Sequence, residues 1–138
     1  MRLDEETLQT IALFEKLVKC RAKDAFFDPI QDRMVFVVFP GEIYKAIGKD
    51  GAGAKKLENT FKKKIKIVEW SDKKERFIRN MCYPHNVSKV EQLEEDVFVV
   101  HGETEQDRGL LIGRKAQNLR NLEKNLRRYF PVKEVKVV

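Results

Sequence analysis

Cysteine is scarce: Cys20 and Cys82 are the only two in 138 residues. Two cannot build a disulfide framework, so a reducing, cytoplasmic setting is expected. No apolar run approaches the roughly 20 residues that a bilayer-spanning helix needs, which excludes a transmembrane helix. The first residues, Met1 to Glu6, are acidic where a signal peptide would be basic and then apolar. Histidine is nearly missing, with two residues, which leaves little from which to build a metal centre or a Cys/His nucleophile. What the chain does have is a 42% hydrophobic fraction, enough for one or two small cores and too much for a disordered segment. It also carries a net charge of +6 and a pI near 9.3, a balance that favours nucleic acid or another polyanion as partner.

The basic residues are concentrated. Residues 45–66 hold eight lysines against Asp50 and Glu58, a net of +6, and residues 108–128 hold seven Lys and Arg against Glu123, again +6. The remaining 95 residues therefore sum to −6. Two short basic segments on an acidic body are the footprint of a phosphate-binding surface, with solvated helix faces as the plainer alternative.

The two segments are related. Ile47-Gly48-Lys49-Asp50-Gly51 aligns with Ile112-Gly113-Arg114-Lys115-Ala116 at an offset of 65, and the offset also pairs Leu57 with Leu122 and Glu58 with Glu123. That period is too long for a solenoid unit and reads as a duplicated small domain, with residues 1–71 forming one copy and 72–138 the other. No flexible residues separate the copies at Glu69-Trp70-Ser71-Asp72, so a fixed relative orientation is expected.

In the first copy Asp4 is placed to N-cap a helix whose apolar face uses Leu8, Ile11, Ala12, Leu13 and Val18. A turn-bounded segment Ala25–Ile30, a strand Met34–Phe39, a short helix ending at Gly48, a helix Ala52–Lys63 burying Ala54, Leu57 and Phe61, and a strand Ile65–Glu69 follow. In the second copy Asp72 and Glu75 form a capping box for a helix that buries Phe77, Ile78, Met81 and Cys82. Strands Val87–Leu93 and Val97–His101, helices Thr104–Ile112 and Ala116–Tyr129, and a strand Val132–Val138 complete it. The expected class is α+β, each copy a three-stranded mixed sheet covered by helices.

Gly48-Lys49-Asp50-Gly51 falls in the tight loop between two helices. Glycine there admits a sugar–phosphate backbone close to the main chain, and the helix that starts at this point offers unpaired N–H groups and a favourable dipole. Lys49 adds positive charge and Asp50 partly cancels it. With the element order, this resembles a type II KH domain, whose GXXG loop clamps about four nucleotides of single strand. The resemblance narrows further. Ile67–Asp72, Phe77–Met81 and Pro84 are similar to the junction between the two KH domains of the NusA family, and Ile112–Arg120 is similar to its second loop, I-G-R-x-G-Q-N-V-R. The bacterial members' polymerase-binding and OB-fold domains have no room here, so the short archaeal, NusA-like form of this termination and antitermination family is the expected one.

What the resemblance implies is single-stranded RNA binding in transcription elongation or termination, without catalysis or cofactor. RNA polymerase is a further candidate partner. Lys49, Lys55, Lys56, Arg114, Lys115 and Arg120 would supply charge, and Gly48, Gly51 and Gly113 access. Ala116 stands where the pattern has glycine, and because alanine disfavours positive φ, a less close approach is expected there. Gln117 and Asn118 fall in the first turn of the basic helix, where their amides fit either base-edge recognition or helix capping. The alternative functions are a ribosome-associated or RNA-processing KH protein, and, further off, an RNA-modifying enzyme.

Other patterns are weaker. Gly48 to Gly53 has the glycine spacing of a nucleotide-binding phosphate loop, but Ala54-Lys55 follows where Lys-Ser/Thr is needed. Cys82 and His85 have no second ligand pair at metal spacing and read as core and loop residues. Trp70 reads as packed at the junction rather than as a stacking platform, and Phe26, Phe27, Phe36 and Phe39 read as core.

Overall fold

The structure, a computed structural model, describes residues 3–138. Met1 and Arg2, the start of the expected first copy, lie outside the described residues. By its internal contacts the chain divides into two compact units, with the boundary between Ser71 and Asp72. Each has a three-stranded mixed sheet with helices, an α+β architecture.

The first unit opens with α1 (Glu5–Val18). Asp4 Oδ1 accepts the Thr7 N–H at 2.7 Å, and Glu5 and Glu6 sit in the first turn, where the helix dipole favours acids. The buried stripe is Ile11, Phe14 and Val18, spaced three and four; Leu8 and Leu13, expected on it, are 51% and 40% exposed, and Ala12 is exposed too. Phe14 takes their place in the core, stacking on Phe36 of the sheet with ring centroids 4.4 Å apart.

β1 (Ala22–Asp28) and β2 (Arg33–Val38) form an antiparallel hairpin, and β3 (Lys64–Glu69) runs parallel to β2 on its other side. The segment Ala25–Ile30 is therefore strand as far as Asp28, whose buried carboxylate makes the turn by accepting the Ile30 and Gln31 N–H groups at 3.0 and 3.1 Å. Phe27 is not core: it is 43% exposed, with Lys63 Nζ 5.0 Å above its ring. A parallel pair needs a crossover, and here it comprises α2 (Ile43–Ile47), a 3₁₀ turn Lys49–Gly51 and α3 (Ala52–Phe61). Ala46, Leu57 and Phe36 share the core with α1.

The second unit repeats the order. α4 (Lys74–Cys82) buries Phe77, Ile78, Met81 and Cys82 as expected, but its N-cap is Lys73, with no side-chain cap. Starting there, the helix puts Glu75 at its second position, and a capping box needs the third. β4 (Val87–Glu94) is antiparallel to β5 (Val97–Gly102), which runs parallel to β6 (Glu134–Val137). Between them lie α5 (Glu105–Ile112), a 3₁₀ turn Arg114–Ala116 and α6 (Gln117–Leu126). α6 ends three residues short of the expected Tyr129, because Pro131 disfavours a helical Phe130 and the chain turns back with the Tyr129 and Phe130 N–H groups on Leu126 O.

Asp107 ties this unit together. It accepts from the Thr104 hydroxyl at 2.7 Å and from the Asn86 N–H at 3.0 Å, joining the start of α5 to the start of β4. Those bonds, the hydroxyl's first, hold its carboxyl below the ordinary aspartate range. The folded state thus favours the ionised form. Its stabilisation is complete above the unfolded value near about pH 4 and is lost as pH falls through the lowered folded value. Asp107→Asn is expected to flatten the pH dependence of stability below about pH 4, checked by urea unfolding across that range.

Candidate nucleic-acid interface

The two inter-helix loops have the same backbone, residue by residue. Gly48 lies at φ 76°, ψ 170° and Gly113 at 73°, 177°; Asp50 lies at 54°, 29° and Lys115 at 54°, 32°; Gly51 lies at 76°, 15° and Ala116 at 59°, 23°. The hydrogen bonds match as well. Gly48 N donates to Tyr44 O and Gly113 N to Gly109 O, while Gly51 N and Ala116 N donate back to the first residue of each loop at 3.2 Å. α3 and α6 then begin at Ala52 and Gln117, at the same offset of 65. A further pair of bonds repeats at this offset: Glu42 accepts the Arg21 N–H as Asp107 accepts that of Asn86.

The glycines do different jobs. A Cβ on Gly48 would stand 2.7 Å from Gly53 N, and one on Gly113 would stand 2.6 Å from the Asn118 side chain, so both are required for packing the loop on its own helix. Gly51 has nothing within 4 Å of that position and faces open space. Of the three glycines expected to give access, Gly51 is the one at which the main chain is open to a ligand.

Ala116 enters the left-handed region in spite of its side chain. That conformation costs an L-residue about 1–2 kcal/mol. Glycine would relieve it while giving back about 0.5–1 kcal/mol of unfolded-state entropy. Ala116→Gly is therefore expected to stabilise the second unit by about 0.5–1 kcal/mol, seen as a higher urea midpoint with an unchanged slope.

Around these loops Lys49, Asp50, Lys55, Lys56, Arg114, Lys115 and Gln117 are all exposed. Neither α3 nor α6 has a side-chain cap at its start, at Gly51 or at Ala116, which leaves first-turn N–H groups available beside the lysines and arginine. Two other expected residues are engaged internally. Arg120 Nη1 donates to both carboxylate oxygens of Glu123 at 2.7 and 2.8 Å, and Asn118 Nδ2 donates to Leu110 O at 2.9 Å, bracing α6 against α5. Glu123 is buried and also accepts the Val135 N–H at 2.8 Å, so it ties α6 to β6, whereas its counterpart Glu58 is exposed. Hydrogen bonding to Glu123 raises the Arg120 pKa further above its ordinary value.

The sequence reading also missed Tyr44, an aromatic ring 84% exposed one turn before Gly48, where the second unit has Gly109. Its position within the repeat was the available signal. Trp70 is half-buried, with Lys23 Nζ 4.6 Å from its ring centroid. Cys82 is buried, and Cys20 is buried with its thiol pushed up to about 11, by desolvation first and then by Glu42 and Glu15, which leaves it a poor nucleophile. No group of three or more His, Cys, Asp or Glu gathers among the described residues to hold a metal. No helix of the described residues is long and apolar enough to cross a membrane.

No protein-family model matches the chain. It is 31% identical over 140 residues to the probable transcription termination protein NusA of Methanocaldococcus jannaschii, covering all of this chain and 75% of that protein. It is 32% identical over 138 residues to the probable transcription termination protein NusA of Halobacterium salinarum, covering 99% and 98%. The crystal structure of APE1850 superposes with a TM-score of 0.80 at 26% identity, over 99% of this chain and 100% of that one.

Proposed function

Because the chain belongs to the archaeal NusA family, we propose that it binds single-stranded RNA and acts in transcription termination or elongation. In this reading residues 1–71 and 72–138 are two type II KH domains. The observation that carries it is the shared loop: the same positive-φ backbone occurs twice, each time opening an uncapped helix flanked by exposed cations. Phosphates lie along Gly48–Gly51 and Gly113–Ala116, with bases beside the helices that follow. Lys49, Lys55, Lys56, Arg114 and Lys115 neutralise phosphate, and Gln117 meets a base edge. Asn118, bonded to Leu110 O, and Arg120, an exposed side chain paired with Glu123, support α6. The protein acts by binding rather than by catalysis, in the cytoplasm, with RNA polymerase as a further partner.

A salt titration tests this. Single-stranded RNA binding loses about 0.7 log units of affinity per log unit of salt for each phosphate contact, so five free cations predict a slope of roughly −3.5. A slope near zero would make the basic segments solvated faces only.

A further inference from the structure

Outside the two loops, the second unit has a third basic region. α4 packs beside β4, and between them lies a hollow of about 570 Å³ lined by Lys73, Arg76 and Arg79 of the helix side and Lys89 of the strand, with Glu75, Asn80 and Val90. Lys73, Arg76 and Arg79 recur every three residues, on the side of the helix away from the buried Phe77, Ile78, Met81 and Cys82. Arg79 Nη2 donates to Ser88 O at 2.6 Å, which fixes its guanidinium across the gap from α4 to β4.

The charge here is not a general property of the fold. Residues 73–82 carry four cations against Glu75, a net of +3. At the repeat offset of 65 those residues match 8–17, where Glu15 and Lys16 cancel, and the whole of α1 carries Glu5, Glu6 and Glu15 against Lys16, a net of −2. Duplicated helices with opposite charge point to a task that one copy alone performs. The 95 residues outside the two loop segments sum to −6, so this patch stands out against an acidic background.

We propose that the α4/β4 hollow is a second RNA-backbone site, holding phosphates of the strand beyond the nucleotides held by the loops. Guanidinium and ammonium groups lining one hollow from two elements suit a chain of phosphates, and the Lys89 ammonium, 3.8 Å from Glu91 Oε2, is held there only by an exposed ion pair. An acidic protein segment is the less favoured occupant, since Val90 is the one apolar side chain in the lining and peptide docking draws on buried apolar or aromatic anchors. The inference rests on the RNA-binding reading above.

Lysine footprinting separates the two. The intact protein is acetylated with and without a single-stranded RNA of roughly twenty nucleotides, well beyond the four or so that one KH loop holds, and in parallel with poly-glutamate. The expected result is protection of Lys73 and Lys89 by RNA together with Lys49 and Lys55, whatever poly-glutamate does. Protection of Lys49 and Lys55 alone would overturn the hollow and leave the loop reading standing. Protection of Lys73 and Lys89 alone would support the hollow and count against the loops. Protection of Lys73 and Lys89 by poly-glutamate and not by RNA would assign the site to an acidic protein and overturn the proposal; protection of none by RNA would overturn both readings. A second measurement uses the triple variant Lys73→Ala, Arg76→Ala, Lys89→Ala, whose positions are solvent-facing. Its salt slope for the long RNA is expected to fall in magnitude by about 2, with affinity at least roughly tenfold weaker. An unchanged slope would overturn the proposal.

Discussion

Gly51→Asp is expected to weaken single-stranded RNA binding by about 10- to 100-fold while leaving unfolding almost unmoved. The added side chain enters open space, with nothing within 4 Å, and aspartate is among the residues that tolerate the φ of +76° found there. Its carboxylate would stand beside the free N–H groups at the start of α3 and beside Lys49, where the phosphate is proposed to bind. Losing a charge-assisted hydrogen bond costs about 1.5–3 kcal/mol, which is the expected drop in affinity. Fluorescence anisotropy gives the affinity and a urea melt the stability. Binding at parent strength by the folded variant would remove phosphate from this loop. Gly48→Asp is not an equivalent test. Its Cβ would lie 2.7 Å from Gly53 N, so lost binding there would also report a displaced helix.

Gly53→Ala is expected to destabilise the first unit by about 3 kcal/mol, although alanine is the better helix former. Propensity alone predicts a gain of about 1 kcal/mol for this change inside α3. Packing reverses the sign. A Cβ on Gly53 would stand 2.1 Å from Ala46 O and 3.0 Å from Ile47 O, and backbone carbonyls cannot rotate away as side chains do. α2 and α3 would have to separate, loosening the fully buried Ala46 and Leu57. The second unit solves the same junction differently. Asn118 occupies this position and bonds Leu110 O, so α5 and α6 accommodate a side chain that α2 and α3 do not. The urea midpoint of Gly53→Ala, read by circular dichroism, decides between the two effects. A rise would show that propensity outweighs the close contact.

The sequence by itself was enough to find the duplication, the loops and their helices, because these are written in local terms. Gly48, Gly51 and Gly113 mark positive φ, Asp4 marks a helix start, and Leu119, Leu122 and Leu126 recur at helical spacing whatever the rest of the chain does. Even Ala116, which departs from the pattern, takes the loop's backbone. Which apolar residues are core was decided only by the tertiary structure. Leu8 and Leu13 are as apolar as Phe14, but the sheet lies under Phe14. The fate of the charges was decided there too. Glu58 and Glu123 align perfectly in the repeat, yet only Glu123 is buried, because only there do Arg120 and the Val135 N–H meet its carboxylate. Arg120 reads as free charge until that pairing is seen, and Lys89 joins Lys73, Arg76 and Arg79 only through the packing of α4 on β4. Backbone conformation and periodicity depend on neighbours along the chain. A charge becomes a structural tie or a binding group according to donors and acceptors that the fold brings from far along it.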